Sequence, residues 1–138
     1  MFEDNAGHLW ISTCLGGIFV VDKHRLMQSA SGQYVAEQNY SVHNGLSGMF
    51  INQIIPDNEG NVWVLLYNNK GIDKINPRTR EVTKLFADEL NGEKSPNYLL
   101  CDEDGMLWVG FHGGVMRINP KDESQQSISF GSFSNNEI

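Results

Sequence analysis

Basic residues are scarce in this sequence. Ten lysines and arginines face 17 aspartates and glutamates, for a net charge of −7. That sign repels phosphate and anionic lipid, so nucleic acid and a charged membrane surface are excluded as partners. Cysteine is nearly absent: Cys14 and Cys101 provide neither a disulfide framework nor a CxxC pair for zinc or redox chemistry. Both read as small buried hydrophobes. No apolar run approaches the roughly 18 residues of a membrane span. Met1-Phe2-Glu3-Asp4 lacks the basic and apolar regions of a signal peptide, so the chain as written reads as soluble, without direct membrane contact. No stretch shows a helical period, and no linker or domain boundary interrupts the 138 residues. What is abundant is glycine, 14 residues in a chain that is 40% apolar, which fits a turn-rich β protein of one domain's size.

A repeat organises the whole chain. Asp4-Asn5-Ala6-Gly7-His8-Leu9-Trp10-Ile11 returns as Asp57-Asn58-Glu59-Gly60-Asn61-Val62-Trp63-Val64 and as Asp102-Glu103-Asp104-Gly105-Met106-Leu107-Trp108-Val109. The tryptophans are 53 and 45 residues apart, a spacing used by propeller blades. Each unit carries an apolar run, the Asp-x-x-Gly turn, the tryptophan run, a glycine-opened third run (17–21, 71–75, 114–118) and a polar fourth run (34–38, 81–86, 127–130). Four short antiparallel strands per unit follow from this order. Asp at the first turn position and Gly at the last suit a type I turn closed by a left-handed residue. A tryptophan strand apolar on both faces belongs between neighbouring sheets, and a charged fourth strand protects an outer edge.

The fold expected is therefore all-β: about three four-stranded blades of an incomplete β-propeller, with repeats over about 1–43, 44–95 and 96–133, and 134–138 starting a further blade. The first unit is longer. Forty residues separate Gly17 from Asp57 and 31 separate Gly71 from Asp102, an excess placed in residues 23–32 as one helical turn or a loop. Three blades cannot close a ring when closed propellers use about four to eight. Two explanations stand side by side: a piece of a longer propeller, or a protomer completed head to tail by a second copy.

The pattern Asp-x-x-Gly-x-Leu-Trp-Ile/Val with a following Gly-Gly-Ile/Val resembles the two-component regulator propeller repeats. It is carried by Gly7–Thr13 with Gly16-Gly17-Ile18, by Asn44-Gly45-Leu46-Ser47, and by Gly105–Gly110 with Gly113-Gly114-Val115. The second unit departs from it at Leu65-Leu66 and Asn68-Asn69-Lys70-Gly71. The resemblance implies a periplasmic module of a hybrid histidine kinase, of a type common in Bacteroidetes, that senses oligosaccharides and signals through kinase parts elsewhere in the parent.

Motifs with chemical potential have structural explanations. Asp4, Asp57 and Asp102 precede a hairpin each time, which is turn capping and not a metal ring. Asp102-Glu103-Asp104-Gly105 lacks the glycine and terminal glutamate positions of a calcium loop. Trp10, Trp63 and Trp108 recur with Gly7, Gly60 and Gly105 at fixed positions, as inter-blade core would. His8, His24, His43 and His112 share no repeat position, and Gly45-Leu46-Ser47-Gly48 is not a nucleophile elbow. No cofactor, metal site or catalytic residue is expected, and the chain is read as a non-enzyme.

Propeller topology places the second-to-third turns and the fourth-to-first connections on one face. The candidate ligand residues there are His43, Asn44, Tyr67, Asn68, Asn69 and His112, with Asn91 and Phe111 alongside, amides, imidazoles and aromatics suited to a neutral glycan. The partners expected are an oligosaccharide or other small ligand through the parent, and other blades or a second copy. Two competing functions are a propeller enzyme similar to streptogramin lyases, whose catalytic His and Mg-binding Glu have no counterpart here, and a purely structural or dimerising propeller.

Overall fold

The computed structural model describes residues 1–29, 32–67 and 71–131. They form three four-stranded antiparallel sheets in simple sequence order. The first holds β1 (Phe2–Glu3), β2 (His8–Thr13), β3 (Gly17–Asp22) and β4 (Gln38–Tyr40), with α1 (Lys23–Gln28) between the last two. The second holds β5 (Ile51–Pro56), β6 (Val62–Leu66), β7 (Ile72–Asn76) and β8 (Glu81–Leu85). The third holds β9 (Tyr98–Cys101), β10 (Leu107–Phe111), β11 (Gly114–Ile118) and β12 (Gln125–Ser129). First strands pack on first strands, β5 against both β1 and β9, so the sheets radiate as propeller blades do. The all-β, incomplete propeller read from the repeat is the observed architecture. Among the described residues no helix is long and apolar enough to cross a membrane.

Strand β6 shows why the blades stack. All five of its residues are buried, and the period of two divides them. Val62, Val64 and Leu66 face the first blade, with Trp10, Ile18, Val20, Tyr40, Leu46 and Ile54. Trp63 and Leu65 face the third, with Leu99, Leu107, Val109, Phe111 and Met116. At about 1.5–3 kcal/mol for each large apolar side chain taken from water, these two layers dominate the stability of the stack. Polar bonds add register. The Gln53 side-chain amide donates to the Leu99 carbonyl at 2.7 Å and accepts from the Leu99 N–H at 2.9 Å.

Three sequence expectations need correction. The fourth strand of the first blade begins at Gln38, not Tyr34, because Tyr34 and Glu37 are drawn into a polar cluster. The Tyr34 hydroxyl donates to Glu37 at 2.6 Å, and both groups accept from the Asp22 amide. Arg25 adds a 2.7 Å ion pair with Glu37. The fourth strand of the third blade starts at Gln125, two residues earlier than expected, where it pairs with Ile118. The cysteines are not buried: Cys14 lies exposed beyond the end of β2, and Cys101 is half-buried, its thiol pKa pushed up by burial and by the carboxylates of Asp57 and Asp102. The excess chain of the first blade does form a short helix, with Asp22 capping it by accepting from the Arg25 amide. The expected start of a further blade at 134–138 lies outside the described residues.

Candidate functional site

The two ends of the blades are built differently. At one end, each Asp-x-x-Gly turn is the same device. One oxygen of Asp4 accepts from the amides of Ala6 and His8 at 3.0 and 2.9 Å, and the other accepts from the Trp10 indole N–H at 3.0 Å. Asp57 holds Glu59, Asn61 and Trp63 in the same way, at 2.8, 2.9 and 2.7 Å. Asp102 holds Asp104, Met106 and Trp108 at 2.9, 2.9 and 2.7 Å. Gly7, Gly60 and Gly105 close the turns with φ of 83°, 87° and 81°, the left-handed region that glycine occupies without strain. The Trp108 indole and the Met106 amide hold the Asp102 carboxyl below its ordinary pKa. Asp4 is also lowered: partial burial pulls it upward, but the His8 amide, the Trp10 indole and the Ala6 amide outweigh that. These carboxylates have their lone pairs occupied by the fold. Among the described residues no three His, Cys, Asp or Glu side chains converge as a metal site would require.

The opposite end carries the second-to-third turns and the fourth-to-first connections, where the candidate ligand residues fall. Asn44 is consumed by its own turn. It ends the 3-10 turn Val42–Asn44, accepts from the Ser41 amide and donates to the Asn39 carbonyl at 2.7 Å. Asn91 is similarly bound, to the carbonyls of Ala87 and Asp88 at 3.1 and 2.6 Å. Phe111 is buried, with the Lys94 ammonium 6.0 Å from its ring centre. His43 and His112 are exposed on separate connections. Asn68 and Asn69 lie outside the described residues.

Tyr67 is different. Its side chain is 60% exposed, and its amide donates to the Phe50 carbonyl at 2.9 Å, which fixes the backbone beneath it. It lines a groove of about 420 Å³ together with Asn52, Leu66, Ser95, Pro96 and Asn97. The groove runs between the second blade and the connection into the third. Its far wall is set by Asn97, whose amide donates to the Gly110 carbonyl at 2.9 Å. Among the described residues the lining offers one aromatic face, two carboxamides and the Ser95 hydroxyl, with no carboxylate, ammonium or guanidinium. The structure thus brings Tyr67 together with residues not foreseen from the sequence, while His43, Asn44 and His112 stand apart from it. Asn52 carried a signal, being one of two polar residues, with Gln53, in the run 51–55; Ser95 and Asn97 carried none.

Asp73 is the other residue that sequence reasoning missed. It is 1% exposed on β7 and accepts from the Ser47 amide and hydroxyl at 2.7 and 2.6 Å. Burial raises its pKa and the two Ser47 bonds partly offset that rise. The Asn44-Gly45-Leu46-Ser47 stretch therefore staples the connection between the first two blades: Leu46 is buried in the apolar layer and Ser47 caps a buried carboxylate. The signal was Asp73 itself, a charge where the third strands of the other blades have Phe19 and Met116.

The chain matches the two-component regulator propeller family over residues 45–68, which span the staple, the Asp57 turn and β6. It is similar to the extracellular domain of a hybrid two-component system of Bacteroides thetaiotaomicron, at 95% identity and a TM-score of 0.92, over 99% of this chain and 18% of that one. A second extracellular domain of this kind from the same organism is 21% identical, with a TM-score of 0.70 over 93% of this chain and 16% of that one. PorZ, a surface component of the type IX secretion system of Porphyromonas gingivalis, is 18% identical, with a TM-score of 0.60 over 94% and 19%. The last two likenesses concern the fold alone. No curated protein matches the chain. The chain spans about a fifth of the length of the solved structures it resembles.

Proposed function

We propose, from the premise that the chain belongs to the two-component regulator propeller family, that it is a blade segment of the extracytoplasmic sensing domain of a hybrid two-component protein. The observation that carries this reading is the 95% identity, along 99% of the chain, to part of such an extracellular domain. The segment has a binding role and no catalytic one. Ligand occupancy of the propeller passes a rigid-body or dimer-geometry change to kinase parts elsewhere in the polypeptide.

The ligand is a neutral oligosaccharide, and its contact in this segment is the Tyr67 groove. A sugar ring presents an apolar face that stacks on an exposed aromatic and hydroxyls that pair with amides. Tyr67, Asn52, Ser95 and Asn97 supply those groups without a charge that a neutral ligand would have to leave unpaired. Calorimetric titration of the intact extracellular domain with a panel of neutral oligosaccharides tests this. Binding that weakens roughly tenfold in Tyr67→Ala, with the melting temperature unchanged, is the expected result. Heat from none of the panel, or equal affinity in the variant, would overturn it and leave the blades a supporting role.

A further inference from the structure

We propose that the cleft between the first and second blades, at their Asp-x-x-Gly end, is a second binding site, one that takes the acetamido group of a small neutral molecule. It lies at the opposite end of the blades from the Tyr67 groove, and the inference is independent of what that groove binds.

The two seams between blades are built from the same parts and end differently. Each is flanked by the residue after the turn Asp of one blade and by the turn Gly of the next, with the proline turn after that next blade's third strand alongside. At the second seam Asn58 closes the gap: its carboxamide lies so near Gly105 that a β-carbon on that glycine would sit 2.8 Å from the amide nitrogen. At the first seam the corresponding pair is Asn5 and Gly60, and nothing lies within 4 Å of the equivalent point on Gly60. The open space differs accordingly, about 440 Å³ at the first seam and about 190 Å³ at the second. Two positions show why. Ala6 stands in the first seam where the second has Glu59, and Asn61 where the second has Met106. The larger space falls within the range of about 300–1,000 Å³ that small-molecule pockets occupy.

The groups around the first cleft define what it accepts. Its carboxylates are taken: Asp4 and Asp57 each use both oxygens on turn amides and an indole, and Glu3 is paired with Lys23 at 2.7 Å. The carboxamides are not, since Asn5, Asn58 and Asn61 make no side-chain hydrogen bond among the described residues. Val62, buried, and Pro77, half-buried, put apolar surface beside them. The charges on Asp4 and Asp57 repel an anion, while their occupied lone pairs leave a cation no open oxygen. A neutral amide meets these conditions. Its N–H and C=O pair with a carboxamide, its methyl rests on the apolar surface, and its plane takes the place at Gly60 that the Asn58 amide takes at Gly105.

Saturation-transfer NMR on the intact extracellular domain tests this with N-acetylglucosamine, N-acetylalanine methylamide, glucosamine and glucose. The expected result is transfer to an acetylated probe, strongest at the acetyl methyl, and far weaker transfer to glucosamine and glucose. Which acetylated probe responds separates an amino sugar from a peptide as the source of the group. The signal should persist in Tyr67→Ala, which sets this cleft apart from the groove. Affinity should fall roughly tenfold in the double variant Asn5→Ala/Asn61→Ala. It should fall as far in Ala6→Phe, whose ring fills the cleft while the carboxamides stay. Both changes are at side chains without a structural partner, and unchanged melting temperatures would show that the fold is kept. No transfer to either acetylated probe, equal transfer to glucose or glucosamine, a signal that survives both cleft variants, or one lost in Tyr67→Ala would overturn the proposal.

Discussion

The two ends of the blades obey different rules. At the Asp-x-x-Gly end, three turns from three distant parts of the sequence reach the same geometry, each with one carboxylate holding two amides and an indole. At the other end the connections diverge: both fourth-to-first links hold a 3-10 turn, Val42–Asn44 and Gly92–Lys94, but the first is closed by side-chain caps and a buried Ser47–Asp73 staple, while the second has no side-chain cap and runs on through Ser95 and Asn97 along a groove. The uniform end holds the architecture. The variable end is free to differ because its backbone needs are met case by case, and that freedom is what a recognition surface requires.

Substitutions at the two ends should separate the roles. The largest effect is expected at Asp57, the most buried of the three turn acids. Asp57→Ala leaves the buried Trp63 indole N–H and two turn amides without their acceptor, for a loss of about 3 kcal/mol in urea titration followed by tryptophan fluorescence. A loss under about 1 kcal/mol would mean that water replaces the carboxylate, and the contrast between the ends would weaken.

Ser47→Ala comes next, at about 2 kcal/mol, because it strips the hydroxyl bond from a buried carboxylate. Its size should depend on pH. Asp73 has a raised pKa in the folded state, so its contribution to stability is present below its unfolded value near 3.8 and is lost as pH rises through the folded one. The Ser47 bonds favour the ionised form, so the deficit of Ser47→Ala should grow from pH 4 to pH 7 in parallel urea melts. A flat difference would show that the staple acts on a neutral Asp73.

Asp102 has the opposite sign and a smaller effect. Its pKa is lowered by the Trp108 indole and the Met106 amide, so the stability it adds is present above about pH 4 and fades as pH falls through its folded value. The Trp108 indole N–H resonance should move with that titration, and it should stay still in Asp102→Asn. The smallest effect on stability belongs to the variable end. Tyr67→Ala removes an exposed ring and should change the melt by less than about 0.5 kcal/mol. A larger loss would place Tyr67 among the structural residues and remove it from the ligand surface.

What was legible in the sequence follows the same division. The Asp, Gly and Trp spacings announce the turns because the contacts they encode are local, between residues two to six apart. The alternation of β6 announces the stacking, since five apolar residues in a row need cover on both faces. The late start of β4 was hidden because Tyr34 and Glu37 are held by Asp22 and Arg25 in side-chain contacts 12 to 15 residues long, which no strand pattern records. Asn44 reads as an open amide until its turn closes on it. The groove beside Tyr67 was invisible for a related reason: the path of Asn97 is fixed by Gly110, 13 residues further on in the paired strand β10.

Gln53 has a mechanical consequence. Its carboxamide offers Leu99 one donor and one acceptor, as a neighbouring peptide group would, so a side chain stands in for a rung of β-ladder between two separate sheets. Beside the axis, where blades diverge least, that rung resists shear between the second and third blades. Among the described residues no such amide joins β1 to β5. Torque applied to the propeller should therefore be carried across the second junction as through a rivet, and any slip between blades should begin at the first.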